Sequence, residues 1–231
     1  MKKSAILLFL IPLSLTCDFA FGQKFYTRDL FDFYNEIGMP DASKHNEQTY
    51  DAIDGSPYLT EEFVKGSIQK DRTSYEGVPL RYNAFDDRME FLSKSDLVLY
   101  VTNPEQYQKF ILQDKTYIYR KAPGSKSEEQ GFFQLLEEGT VNLLKKESIS
   151  LLESQPAKPF SDPKPASFKA RPASYYLSLS NGELIQISKE KDLLKALKSQ
   201  KEALESYIDQ HKMNVKREDD LQKVIAYANT L

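Results

Sequence analysis

The sequence predicts an α+β fold: an antiparallel β meander, arranged as a sandwich or a small open barrel, followed by a proline-rich connector, a β-hairpin and C-terminal helices. Three observations support this prediction. Short apolar runs separated by turn residues recur through 61–153, as is typical of antiparallel strands. Five of the 11 prolines fall within 154–173. An Asn-Gly turn and then helical spacing of apolar residues follow within 174–231.

The first 22 residues have the pattern of a secretory signal peptide. Two lysines follow Met1, an apolar run occupies 5–15, and small residues stand at Ala20 and Gly22, just before Gln23. This pattern predicts export and removal of 1–22. A buried helix is the alternative for the apolar run, which is shorter than the roughly 20 residues that span a bilayer.

Cys17 is the only cysteine of the chain. Lipoprotein processing would acylate it, but Ser14-Leu15-Thr16 lacks the small residue that such processing prefers just before the cysteine. We therefore expect cleavage before Gln23 and a mature chain that is stable without disulfides. The expected location is the periplasm, or association with the outer membrane.

Residues 23–60 form an acidic segment with one predicted helix. It contains seven Asp or Glu and three Lys or Arg. Thr27 is placed to cap a helix whose apolar cluster runs from Leu30 to Ile37, and Gly38-Met39-Pro40 is expected to end that helix. A turn follows at Asp54-Gly55-Ser56-Pro57.

Consecutive strands are predicted through 61–153. Val78, Leu80 and Tyr82 alternate with other side chains at a period of two, which indicates a half-buried strand. A continuous apolar run at 97–101 suits a strand covered on both faces. Further runs lie at 110–112, 117–119, 132–133, 141–144 and 148–152. Together they predict an antiparallel β domain.

Residues 154–173 are predicted to form an extended, semi-rigid connector. Proline fixes φ and lacks a backbone donor, so this segment favours neither a helix nor a central strand. Its charge is positive, with four Lys or Arg against Asp162. It either docks on the acidic segment or stays a tether, and a short proline-rich ligand for a partner's groove is a further alternative.

A hairpin and helices are predicted for 174–231. Asn181-Gly182 separates the alternating runs 175–179 and 183–187, which is a strong hairpin signal. Ser188 is expected to cap a helix that breaks near Ser199-Gln200. A last helix is expected from Asp219 or Asp220, since acidic residues suit the positive end of the helix dipole.

Several short segments resemble a family of uncharacterised exported envelope proteins of Gram-negative bacteria. They are Gly55–Phe63, Gly66–Ile68, Tyr75–Asn83, Met89–Phe91 and, at the C-terminus, Lys212–Leu231. The resemblance covers about 55–231 and omits the N-terminal segment. It implies a periplasmic or envelope-associated protein, and it implies no activity or catalytic residue.

Composition and motifs exclude several chemistries. With 31 Lys and Arg against 34 Asp and Glu, the chain lacks the basic excess that nucleic-acid binding requires. His45 and His211 are the only histidines, so neither a zinc site nor a nucleophile–histidine pair is expected. Adjacent acids such as Asp86-Asp87 point to opposite faces of a strand and are not preorganised for glycoside hydrolysis. We predict no cofactor and no metal.

Aromatic residues are the most suggestive feature of the strand region. Most are expected in the core. Some are candidates for an exposed recognition surface, since tyrosine combines a large contact area with a polar tip, and the chain has no Trp for a glycan platform. The candidates are Tyr82, Phe85, Tyr117, Tyr119 and Tyr207.

These observations favour a non-catalytic exported envelope protein that binds another envelope protein or acts as a scaffold. The expected contacts are an exposed strand edge or the amphipathic tail helices. One alternative is a carrier or sensor of an apolar small molecule inside the β domain, whose sign would be a closed apolar cavity. A carboxylate-dependent hydrolase is less favoured. No transmembrane span is expected after signal cleavage, although peripheral association with the membrane remains compatible with the sequence.

Overall fold

The computed structural model describes residues 26–37, 50, 53–121, 130–157 and 162–231. The predicted signal peptide, Cys17 and His45 lie outside these residues. Every structural statement below concerns the described part of the chain.

After β1 and α1, the described elements follow the predicted order of strands and then helices. The strands are β1 (Tyr26–Arg28), β2 (Val64–Lys70), β3 (Thr73–Asn83), β4 (Arg88–Leu92), β5 (Val98–Tyr100), β6 (Lys109–Leu112), β7 (Lys115–Lys121), β8 (Gln130–Glu137), β9 (Val141–Lys146), β10 (Ile149–Leu152), β11 (Ser167–Ala170), β12 (Ser174–Leu179) and β13 (Leu184–Ile187). The helices are α1 (Leu30–Ile37), α2 (Glu190–Ala196), α3 (Lys201–His211) and α4 (Glu218–Ala228).

One large open sheet organises the protein. Its strand order is β13-β12-β9-β8-β7-β6-β2-β3-β4-β5, and β1 joins it by a parallel pairing with β3. The other neighbours are antiparallel, and β10 with β11 forms a separate two-stranded sheet. The predicted α+β class and antiparallel meander are therefore confirmed, with the sheet left unclosed.

The sheet is strongly bent around an aromatic core. Tyr82 on β3 and Tyr117 on β7 have ring centroids 5.1 Å apart, although β6 and β2 lie between their strands in the sheet. Such an approach requires the right-handed twist and coiling of strands to curl the sheet toward a half-barrel. The enclosed core also takes in Phe33 from α1 and Phe168 from β11.

The C-terminal hairpin belongs to the same sheet. β12 pairs with β9, with Tyr176 opposite Leu144 and Leu177 opposite Leu143. Without that pairing β9 would leave an unpaired row of backbone groups. The hairpin therefore extends the meander, and β13 becomes the terminal strand.

The proline-rich connector contains a strand that its composition did not predict. β11 lies between Pro165 and Pro172, where no proline interrupts the chain, and pairs with β10. Backbone bonds from Asp54 N to Ala166 O (3.0 Å) and from Phe168 N to Asp54 O (2.8 Å) attach it to the acidic segment. The segment was expected to be extended and to form no central strand, and β11 is a strand of a two-stranded ribbon, which tolerates flanking prolines.

The helices build a second core against β9, β12 and β13. Leu193, Leu204, Leu221 and Val224 are fully buried there. The predicted break near Ser199-Gln200 is a 3-10 turn at Lys198–Gln200. Within the described residues, no helix has the length and apolarity needed to cross a membrane.

The start of α2 differs from the prediction that Ser188 caps it. The capping residue is Lys189. The Asp192 carboxylate accepts hydrogen bonds from the backbone N–H groups of Ser188 and Lys189, each at 3.2 Å. An acid in the first turn of the helix thus accepts bonds from the backbone N–H groups at the cap, which is the reciprocal half of a capping box.

Candidate protein-interaction site

Three of the five predicted recognition residues lie in the aromatic core. Tyr82 and Tyr117 are only 5% and 4% exposed, and half-buried Tyr119 packs on Phe132 with ring centroids 5.2 Å apart. The rings of Tyr82 and Tyr117 therefore face inward and not toward a partner.

Phe85 packs against the same core from its periphery, and Tyr207 lies on the C-terminal helices. Phe85 contacts Phe168 of β11, with ring centroids 5.0 Å apart. Tyr207 stacks on Tyr227 of α4 at 4.2 Å and lies 4.5 Å from the His211 ring. The five aromatic residues therefore do not share one surface.

A buried ion pair fastens the segment before β2 to the sheet. Glu90 on β4 accepts two bonds from Arg81 on β3, at 2.6 Å and 3.0 Å, and one from Asn83 at 3.1 Å. The Arg81 guanidinium also lies 3.7 Å from the Tyr58 ring centroid and 4.2 Å from that of Phe63. Such a planar cation between two rings suits a structural clamp.

A second ion pair holds the β3–β4 turn against β8 and β9. The Asp87 carboxylate accepts bonds from Lys146 (2.6 Å), Tyr82 (2.8 Å) and the Phe132 backbone N–H (3.1 Å). It lies directly over Gly131 of β8, whose φ is +116°. The contact requires a residue without Cβ at this position.

A third polar cluster links β9, β12 and α4. The Glu218 carboxylate accepts bonds from Lys145 (2.9 Å) and Tyr175 (2.8 Å). Partial burial alone would raise the pKa of Glu218, but these two donors outweigh it and lower that pKa. Burial and then the bond to Glu218 raise the pKa of Tyr175 to about 12. The three clusters hold strands and helices together. The described residues contain no group of three or more His, Cys, Asp or Glu placed to hold a metal ion.

Alkaline pH is expected to destabilise the fold through its tyrosines. Burial first, and then the hydrogen bond to Asp86, raise the pKa of Tyr50 to about 12 from 10.0, and Tyr175 is raised similarly. A folded-state pKa above the unfolded value contributes stability that is complete below pH 10.0 and is lost as pH rises through about 12. We expect the tyrosinate absorbance of Tyr50 and Tyr175 to appear together with the loss of circular dichroism. Ionisation of all tyrosines near pH 10.0, with the fold intact, would contradict this.

Two adjoining grooves lie on the sheet face opposite the two large cores. One has a volume of about 490 Å³ and the other of about 430 Å³, and they share Arg120 and Asn142. Because side chains alternate along a strand, Arg120 points away from the face that Tyr117 covers. The second groove reaches Ser178 on β12 and Leu184 on β13.

The terminal strand β13 has an outward row of backbone groups. Leu179 N donates to Glu183 O at 3.0 Å, and Leu177 is opposite Ile185. Hydrogen-bonded pairs alternate in an antiparallel ladder, so the N–H and C=O groups of Leu184 and Gln186 point away from β12. Among the described residues no other strand pairs with this edge. The edge is a site where a further strand can add.

Sequence reasoning found the hairpin but not these site residues. Arg120 lies in an alternating strand and resembles any solvated cation in the sequence. Its larger groove is lined by residues of β2 and of the consecutive strands β6 to β9. No family model, no curated protein and no solved structure matches the chain.

Proposed function

We propose that this chain is a non-catalytic, exported envelope protein that binds another protein by adding a strand of the partner to β13. The observation that carries the proposal is the outward row of N–H and C=O groups at Leu184 and Gln186. Extended peptides bind exposed sheet edges through such groups, while alternate side-chain positions supply specificity. The export half of the proposal depends on the predicted leader at 1–22.

The side chains of β13 favour a partner strand with alternating polarity. Ile185 and Ile187 pack on the second core, so alternate residues of an added strand would extend that core beside α2. Leu184 and Gln186 lie on the groove face. β13 itself contains no lysine, proline or bulge, the devices that usually protect an edge from pairing.

The tail helices are a weaker candidate for the contact. Their apolar side chains, such as Leu193, Leu204 and Leu221, are already covered by the sheet. The other terminal strand, β5, has three residues against four in β13. These features favour β13 as the binding edge.

Replacing Gln186 by proline is expected to abolish partner binding without unfolding the protein. The Gln186 N–H points outward, so proline removes a donor for the partner and no bond to β12, and edge strands tolerate proline at such positions. Gln186→Thr is the matched control, because it changes the side chain and keeps the N–H. Tagged proteins would be purified gently from the envelope fraction of the cells that make them, and copurifying proteins quantified by mass spectrometry.

Wild type and Gln186→Thr are expected to copurify with the same partner. Recovery of that partner with Gln186→Pro is expected to be at least tenfold lower. Circular dichroism and thermal unfolding of the proline variant should stay close to wild type. Equal recovery of the same partner by all three proteins would overturn the proposal, as would purification of the wild-type protein alone.

A further inference from the structure

Arg120 is a partly buried cation that forms no salt bridge with a carboxylate of the described residues. Burial lowers the pKa of its guanidinium. The one hydrogen bond of its side chain among the described residues is a long one, 3.5 Å, to the carbonyl of its neighbour Tyr119. The acid whose charge it feels, Glu138, binds Lys109 at 2.6 Å instead.

The Arg120 guanidinium can still donate hydrogen bonds to a ligand. It carries five donors in a planar fork that matches a carboxylate. A charged group withdrawn from water without a partner is unfavourable, and an opposite charge that arrives with hydrogen bonds relieves that cost. The structure supplies space for such a group, because Arg120 lines both grooves.

The groove around Arg120 is lined by polar and apolar side chains, and its charged residues are Arg120, Lys121 and the Lys109–Glu138 ion pair. Amide and hydroxyl side chains line it alongside Arg120, and Lys121 adds a second cation. These polar neighbours are Gln69, Gln108, Thr116, Asn142 and Ser178. Amides and hydroxyls can both donate and accept, as is required to bind a peptide backbone.

The groove continues to the edge at which the partner strand is proposed to add. Leu184 of β13 lines the same groove as Arg120 and Lys121. A segment that leaves the β13 edge and turns across this face can reach both cations through the groove. This continuity favours a polypeptide over a free small acid.

We infer that the partner of β13 is an acidic segment, and that a carboxylate of that segment binds the Arg120 guanidinium in the groove. This inference rests on the proposed function, since it takes the β13 edge as the place where the partner begins. The bond is charge-assisted and bidentate in form, which makes Arg120 a determinant of specificity that lysine cannot fully replace.

The inference is tested with the capped peptide triglutamate and with capped triglutamine as its uncharged match. Side-chain arginine N–H signals of the full chain are followed by nuclear magnetic resonance while each peptide is added. Arg120→Gln and Arg120→Lys test the site. Arg171→Gln is the control, because it removes the same charge at an exposed position on the loop between β11 and β12.

We expect triglutamate, and not triglutamine, to shift the Arg120 signal with saturation at millimolar concentration. Arg120→Gln should weaken binding at least tenfold, Arg120→Lys should weaken it less, and Arg171→Gln should leave it unchanged. The inference fails if wild type and Arg120→Gln bind triglutamate equally, or if all arginine signals shift together, as in unspecific attraction. Equal binding of capped triglutamate and of an uronic acid oligomer at Arg120 would show that the site takes acids in general, and would also overturn the peptide assignment.

The two proposals fail separately. If the partner is lost with Gln186→Pro but Arg120 does not respond to triglutamate, only the acidic character of the partner is wrong. If no partner depends on the β13 edge, the proposed function fails whatever Arg120 binds.

Discussion

Gly131→Ala is expected to lower the free energy of unfolding by about 3 kcal/mol. Gly131 has a φ of +116°, a conformation that residues with a side chain rarely adopt. An added Cβ would also overlap the Asp87 carboxylate and crowd the Lys146 ammonium group. The substitution therefore adds backbone strain and breaks an ion pair at once.

The loss is large because Asp87 holds three partners. When the carboxylate moves away, the side chain of Lys146, the hydroxyl of Tyr82 and the backbone N–H of Phe132 lose their bonds together. Tyr82 lies in the aromatic core, so its hydroxyl has little access to water that could replace the carboxylate.

Chemical denaturation followed by circular dichroism measures the change. Gly182→Ala is the matched control, since Gly182 also has a positive φ, +83°, but its added Cβ would meet no atom within 4 Å. Gly182→Ala should lower the free energy of unfolding by about 1 kcal/mol, through backbone strain alone. Equal losses for the two variants would mean that the Asp87 contact contributes nothing.

The second large effect is expected from Glu90→Gln, which should cost about 3 kcal/mol. The side chains of Arg81 and Glu90 are only 13% and 10% exposed. Removing the carboxylate charge leaves a desolvated guanidinium between two aromatic rings, and its other bonds, to Tyr58 and the Glu61 carbonyl, are to uncharged groups.

A double-mutant cycle separates the pair from its surroundings. The cycle compares Arg81→Met, Glu90→Leu and the variant that carries both changes. The double variant lacks both charges and keeps apolar volume, so its loss in free energy of unfolding should be smaller than the sum of the losses of the two single variants. Thermal and denaturant unfolding give the loss in free energy of unfolding for each of the three variants. Additive losses would show that the two side chains do not stabilise each other.

Local signals in the sequence predicted the elements well. Asn181-Gly182 predicted the hairpin, and β13 begins at Leu184, one residue after the start of the predicted run. The apolar cluster from Leu30 to Ile37 predicted α1 within its observed bounds. Each of these features is decided by a few neighbouring residues.

Long-range pairing could not be predicted in the same way. The β12–β9 ladder joins segments separated by β10, β11 and several prolines, and no residue of β12 specifies β9 as its neighbour. β11 within the connector also depends on a contact with a distant segment, since the Phe168 N–H donates a hydrogen bond to the Asp54 carbonyl. These contacts depend on which surfaces remain uncovered once the sheet has curled.

The candidate site was beyond sequence reasoning for a related reason. Alternation assigns Tyr82 and Tyr117 to one face of their strands, but it does not say which face the curled sheet covers. The tyrosines face the core, and the functional candidates are backbone groups at Leu184 and Gln186 together with Arg120. Backbone groups at an edge leave no mark in the residue types.

Site-specific photocrosslinking in living cells tests the central claim most directly. A benzoylphenylalanine at position 186 keeps the backbone N–H and places the reactive group on the β13 edge, and the same residue at exposed Glu202 of α3 serves as the control position. We predict a covalent adduct with one defined polypeptide from position 186, none from position 202, and loss of the adduct when Leu184→Pro is added. No adduct from position 186, or an adduct that persists unchanged with Leu184→Pro, would contradict binding at this edge.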